Sequence, residues 1–370
     1  MGAGKHIAGS FCAIMGLVQS NMFIFFKGGV VLEQKSFHRI GFEVQAEMNF
    51  KVTVTHSLIS AHSIRNLLAS YEIENVISCD FLTRGLNDSY VITTDSEKYI
   101  FRVYRHNWRT ESDILFEIDV LNYLKMAGFP VSSPINTVEG NWVIAIQAPE
   151  GIRYGVLFTY SPGERPVINQ ENCSTLGRSL AELHKQTSSF HSDHRRNFDL
   201  DMQHLLDEPL SYISPVLEKV LLQGNSLRDI VEKIKREILS RKHEYGFCHG
   251  DFHNFNMHLD HRKLEVFDFD CCSIGYRAYD VAVFWWNLKN NYPHLEKACW
   301  DEFLNGYLSQ RNMSEADLKS LPLFISVRRI WLLGTMLKSE DVWGTNWINE
   351  TNLNQFLLDL EKDQQLYTLF

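Results

Sequence analysis

"FCHGDFHNFNMHLDHRKLEVFDFD", Phe247 to Asp270, decides how the rest of the chain is read. Its first twelve residues hold three histidines, one aspartate and two asparagines. One chemistry that fits such crowding is a metal cage. His249, Asp251 and His253 stand at alternate positions, with His258 and His261 close behind, and could face one ion. Closed zinc sites, however, take four ligands at defined spacings, often with cysteine, and the chain offers no such partners elsewhere. A polar loop with buried, hydrogen-bonded histidines is the plain structural alternative.

A third reading rests on distance. Asp251 and Asn256 are five apart, and "FDFD" places Asp268 twelve beyond Asn256, at the end of an apolar run. The intervening "MHLDHRKLEV" reads as a hairpin. Phosphoryl transfer needs one carboxylate near the attacking hydroxyl. It also needs a carbonyl and a carboxylate oxygen on Mg²⁺, which bridges the nucleotide phosphates. Protein kinases lay these groups out as D-x-x-x-x-N, followed by an Asp on the neighbouring hairpin.

The chain around this stretch falls into two parts. With 370 residues it is long enough for two domains or one large two-lobed one. A hydrophobic fraction of 45% supports a real core and excludes global disorder. "SIRNLLASY" (Ser63 to Tyr71) has helical spacing with Ser63 as its cap. Asn75 to Arg105 then changes period, with turn signals at Gly85–Asp88 and Asp95–Glu97 that predict two hairpins or a three-stranded meander. Glu111 to Gly128 is an amphipathic helix with Ile114, Leu115, Ile118, Leu121 and Leu124 on one face. Pro130 and Pro134 mark a loop, and strands follow over Asn141–Gln147 and Arg153–Gly163. "SPGERP" is the boundary. Beyond it come a helix from Cys173 with Leu176, Leu180 and Leu183 inward, and a second over Ser226–Tyr245 capped by Ser226. The opening stretch with its two short strands comes next, then a helical tail from Tyr279 to the end. The pattern gives an N-terminal extension over 1–47, a sheet-rich lobe over 48–160 and a helical lobe over 161–370. A cleft between lobes is where ligands usually sit.

A net charge of −9 argues against wrapping nucleic acid and suits a cationic or neutral small substrate. Seven scattered cysteines, with no C-x-x-C, read as a reduced, cytoplasmic protein. No window of eighteen apolar residues predicts a membrane span. Phe11–Phe26 has the look of a signal peptide but is broken by Gln19, Ser20 and Asn21. "GAGKH" near the start lacks the spacing and the Ser/Thr of a Walker loop.

"HGDFHNFN" followed by "FDFDCCSIGYRAYDVAVF" resembles the aminoglycoside phosphotransferase and choline kinase-like superfamily, relatives of the protein kinases, over roughly Phe81 to Phe284. The resemblance implies an α+β, bilobal protein-kinase-like fold: a small antiparallel-sheet N-lobe with one main helix, and a larger, mostly helical C-lobe. It also implies ATP- and Mg²⁺-dependent phosphorylation of a small-molecule hydroxyl. Asp251 falls at the catalytic Asp, Asn256 and Asp268 at the metal ligands, and Asp280 at an acid that braces the catalytic loop. Around the nucleotide, Gly85, Asn87 and Ser89 sit where the phosphate-covering hairpin belongs, with one glycine in place of three. Arg102 stands where the family usually has Lys, a swap that keeps the charge but changes the geometry. Glu117 is its candidate ion-pair partner, or else a solvated helix charge. The hinge, Leu157 to Tyr160, would meet adenine, which puts Phe158 and Tyr160 in contact with the base.

The expected mechanism has Asp251 taking the hydroxyl proton late, with Asp270 as a supporting group or a contact to a second metal. Trp285, Trp286, Trp331, Glu340, Asp341 and Trp343 are candidates to hold an ammonium or amino sugar, against the alternative that the tryptophans are core. Aminoglycoside, amino alcohol and homoserine-like acceptors all fit. A protein Ser/Thr kinase of the same fold, or a non-catalytic nucleotide-binding relative, are the competing functions.

Overall fold

The computed structural model describes residues 52–222 and 224–367, so the readings of 1–47 lie outside the described residues. The first helix, α1 (Ala61–Leu67), begins earlier than the sequence pattern indicates. Ser60 is its cap, accepting from the Ser63 amide, and Ser63 lies within the first turn. The meander follows as β1 (Ser78–Arg84), β2 (Asp88–Thr93) and β3 (Lys98–Val103), turning at the two expected places. Next comes α2 (Glu111–Met126), started by a reciprocal capping box between Thr110 and Asp113, a device worth about 1 kcal/mol.

The sheet is completed by β4 (Pro134–Ile135), β5 (Ile144–Ala148) and β6 (Gly151–Thr159), in the order β1-β2-β3-β6-β4 with β5 also on β6. The short β4 lies where the prolines predict only loop. One face of the sheet buries Tyr90, Ile92, Phe101, Val103 and Leu157 against Ile64, Leu68 and Tyr71. The other face buries Val156 and Phe158 with α2, in a core continuous with the helical part. That explains why α2 is buried on more than one side: Phe116, Glu117 and Val120 are inside as well as Ile114, Ile118, Leu121 and Leu124, while Leu115 is half-buried.

After Thr159 the chain becomes helical, with α3 (Gln170–Gln186), α4 (Glu208–Leu221) and α5 (Gly224–Leu239). The helix α4 has no counterpart among the sequence expectations. α5 starts before Ser226 and stops well short of Tyr245, which opens β7 (Tyr245–Cys248) instead. The hairpin β8 (Met257–Asp260) and β9 (Lys263–Val266) follows, then β10 (Ser273–Tyr276), antiparallel to β7. The tail resolves into α6 (Arg277–Asn291), α7 (Glu296–Leu308), α8 (Glu315–Lys338), α9 (Glu340–Trp343) and α10 (Glu350–Tyr367).

Helices α3 and α7 approach through glycines. A Cβ at Gly177 would lie 1.9 Å from the Phe303 carbonyl oxygen, and one at Gly306 would lie 2.2 Å from that of Ser174. Among the described residues α8 is the one helix long and apolar enough to cross a bilayer, and 89% of its most apolar window is buried inside the fold. It is the axis of the helical lobe. Trp285 and Trp286 belong to the surrounding core, and Trp285 stacks on Trp300 at 4.3 Å.

Candidate active site

The catalytic-loop sequence leaves β7 at Cys248 and must turn at once. Gly250 makes that turn at φ 80°, and a Cβ there would meet the Cys271 carbonyl oxygen at 2.3 Å. Asp280, buried at the start of α6, takes the His249 and Gly250 amides on its two oxygens at 2.7 Å each, and holds His184 Nε2 at 3.0 Å. His249 is fully buried with both nitrogens engaged: Nδ1 accepts the Asp251 amide at 3.2 Å and Nε2 donates to the Phe267 carbonyl at 3.1 Å. Burial pushes its pKa down, which keeps the ring neutral in that tautomer.

The histidine-cage reading is therefore corrected. His249 has no free lone pair, His253 turns its Nε2 to Asp251, and His258 spends its Nδ1 on the Ser161 carbonyl at 2.7 Å. The one metal-type cluster among the described residues, His184–Cys248–Asp280, is a satisfied hydrogen-bond network in the core.

Asp251 is held on every side. Its Oδ1 meets His253 Nε2 at 3.1 Å and the guanidinium of Arg328, and its Oδ2 accepts from Asn256 Nδ2 at 2.9 Å. Burial pushes this carboxyl up, but His253 and Arg328 outweigh it and hold it well below the usual carboxylate range. The β8–β9 hairpin then folds the chain back, so that the Phe267 amide donates to the Asn256 carbonyl at 3.0 Å and Asp268 arrives beside the loop. Asp268 adopts φ 64° and ψ 62°, a left-handed conformation that costs a non-glycine residue energy and is typical of residues aimed for a purpose. Its side chain is 43% exposed.

Arg102 joins the two lobes at this point. Its guanidinium bridges Glu117 Oε1 at 2.9 Å and Asp268 Oδ1 at 3.0 Å, above the Phe158 ring. Glu117 is 1% exposed, and its second oxygen accepts from Tyr104 Oη at 2.9 Å. Burial raises the Glu117 carboxyl above its ordinary value against the pull of Arg102, so it is a buried partner and not a solvated helix charge.

The other predicted residues spread out. Ser89 is the cross-strand partner of Arg102. Asn87 turns its Oδ1 to the Arg105 amide at 3.2 Å, and a side chain at Gly85 would meet nothing within 4 Å. Phe158 lies inside the sheet opposite Ile100 and Pro134, which leaves Tyr160, whose ring sits 6.0 Å from that of His258, at the sheet's edge. Asp270 is held from the sheet side, with Oδ1 on Arg109 Nε at 3.0 Å and Oδ2 on Trp108 Nε1 at 2.8 Å.

Trp108 and Arg109 also line a cavity of about 510 Å³ between the lobes, together with Tyr154, His204, Glu208 and Trp331. Of the predicted substrate contacts only Trp331 lines it. Asp341 pairs with Arg105 at the lobe junction, and Glu340 is exposed. Arg328, Trp108 and Arg109 went unread in the sequence. The available signal was the charged pair Arg328–Arg329 inside the apolar run Leu321–Met336, since buried charges occur where they are paired.

Residues 82–318 match the phosphotransferase enzyme family. An uncharacterised protein of Deinococcus radiodurans is 32% identical over 316 residues, covering 83% of this chain and 92% of its own. Amicoumacin kinase of Bacillus subtilis is 25% identical over 297 residues, covering 76% of this chain and 86% of its own. Among solved structures, an amicoumacin kinase in complex with AMP-PNP, Ca²⁺ and Ami superimposes with a TM-score of 0.68 at 20% identity, over 81% of this chain and 92% of that one. At that identity the likeness is one of fold.

Proposed function

The chain belongs to the phosphotransferase enzyme family, and from that premise we propose that it transfers the γ-phosphoryl group of ATP, with Mg²⁺, to a hydroxyl of a small molecule. The observation that carries the reading is the meeting of Asp251, Asn256, Asp268 and Arg102 through one loop, one hairpin and one cross-lobe ion pair. The donor set fits a hard divalent ion. Asn256 gives its Nδ2 to Asp251, so its side-chain Oδ1 is uncommitted among the described residues, and Asp268 engages only its own Oδ1. Bound there, the metal would neutralise charge on the β- and γ-phosphate oxygens.

The protein's own groups supply the rest. Glu117, itself held by Tyr104, anchors Arg102 through Nη1, and the Nη2 arm that reaches Asp268 is the one that would meet a phosphate oxygen beside the metal. Asp251 orients the acceptor hydroxyl and takes its proton late, when the leaving ADP has already drawn charge away. We assign the acceptor to the 510 Å³ cavity because Trp331, one of its walls, also lies against the Arg328 guanidinium that grips Asp251, and its aromatic walls suit an amine-bearing alcohol such as an aminoglycoside, an amino alcohol or a homoserine-like amine.

Melting curves with Mg-ATP, and ADP release across a panel of those acceptors, test the proposal. Asp251→Asn is expected to keep the Mg-ATP stabilisation while turnover falls by about 10²–10⁴-fold, the contribution of a positioned base. Full-rate turnover by that variant would refute the assignment.

A further inference from the structure

Arg328, in the middle of α8, is 2% exposed and reaches the catalytic loop from the side opposite Asp280. One terminal nitrogen touches Asp251 Oδ1, and the other lies 3.3 Å from the Gly250 carbonyl and 3.5 Å from Tyr279 Oη. The guanidinium carbon lies 5.3 Å from the centre of the Trp286 ring and 4.8 Å from that of Trp331. These rings fix the plane of the fork, and its Nε is buried with no partner among the described residues. The cost of burying that nitrogen is accepted at a position where an aliphatic side chain would pack without it.

A carboxylate oxygen offers two lone pairs. On Oδ1 of Asp251 both are taken, by Arg328 and by His253. Among the described residues Oδ2 accepts only from Asn256, which leaves one lone pair open.

We propose that Arg328 is a positioning residue for the transfer: it fills Oδ1, fixes the rotation of the carboxylate, and makes Oδ2 the atom that takes the acceptor's proton. The balance is simple. The acceptor O–H proton passes to Oδ2, the acceptor oxygen bonds to the γ-phosphorus, and the bond to the bridging oxygen breaks with its electron pair leaving on ADP. Lysine does not replace Arg328, because a point charge cannot contact the carboxylate and a carbonyl together as a planar fork.

The inference rests on the phosphotransferase reading, and its test separates the two. Wild type, Arg328→Lys and Arg328→Ala are compared by basal Mg-ATP hydrolysis, with water as acceptor, alongside melting curves with and without Mg-ATP. Both variants are expected to lose about 100-fold in kcat, the scale of a reacting group displaced by about 1 Å, with the KM for ATP and the Mg-ATP stabilisation kept. Added guanidinium ion is expected to restore rate to Arg328→Ala and not to Arg328→Lys. Stable variants with wild-type kcat overturn the inference and leave the site reading standing. So does a loss of kcat in step with ATP affinity that guanidinium does not relieve, since that marks a merely structural role. A wild type that neither binds nor hydrolyses Mg-ATP overturns both.

Discussion

Gly250 is where one methyl group has the largest expected effect. The backbone is left-handed there and the space beside it is filled by the Cys271 carbonyl, so neither the loop nor its neighbour can yield cheaply. Gly250→Ala is expected to cost about 1–3 kcal/mol from the backbone conformation alone, and more from the contact. Turnover should fall further than the drop in melting temperature explains, because the displaced atoms lead directly into Asp251. Residues of this kind were legible in the sequence to the extent that their neighbours were local. The spacing of Asp251, Asn256 and Asp268 along one loop and hairpin made all three candidates, whereas Arg328 lies 77 positions beyond Asp251 and no local period connects them. The same limit explains Asn87 and Asp270. Each has the right type at the right place in the pattern, but a competing partner, the Arg105 amide for one and Arg109 for the other, decides where it points.

At the scale of elements, the sheet lobe is tied by one buried guanidinium. Arg153 of β6 is fully buried and reaches Asp88 of β2 at 2.8 Å, the Tyr104 carbonyl at 2.9 Å and the Ser57 carbonyl at 2.8 Å, while His56 meets the same Asp88 oxygen, Oδ2, at 3.0 Å. Arg153→Met leaves Asp88 buried against His56 alone and is expected to cost about 3–5 kcal/mol in denaturant unfolding. Adding Asp88→Asn should recover part of that loss; a wholly additive double mutant would show that the two do not act as a pair. The meander, α2 and α3 were readable because periodicity and turn residues act within a few positions. β4, β7 and β10 were not, because such short strands owe their existence to pairing partners far along the chain, whereas the equally short β8 and β9 pair with each other across a local turn. The limits of α5 moved for a related reason: its apolar face is defined by what it packs on, and the cap residue chosen by type lies inside the first turn.

Across the whole molecule, ionic contacts close the space between the lobes and around the cavity. Arg102–Asp268, Arg105–Asp341 and Arg109–Asp270 cross between the sheet and the helical part, and Glu208 at the head of α4 engages His204 and, on α8, Lys338. His204 and Lys338 hold the Glu208 carboxyl down to about 2 from an ordinary 4.5. Because the folded value is the lower one, its contribution to stability is complete above pH 4.5 and is lost as pH falls towards about 2. Glu208→Gln should therefore flatten the slope of melting temperature against pH across that window by lowering stability above it, and by a small amount, since the pair is partly exposed. An unaltered slope would place the acid sensitivity elsewhere. The order in which the chain is synthesised adds a last consequence. The loop and hairpin that carry Asp251, Asn256 and Asp268 leave the ribosome together, but the arginine that grips Asp251 emerges 77 residues later, within the helix that forms the lobe's axis. Nascent chains that stop short of α8 thus carry every proposed metal ligand but lack the guanidinium on Asp251 Oδ1, and on the proposed mechanism competence for chemistry comes only with the last third of the helical lobe.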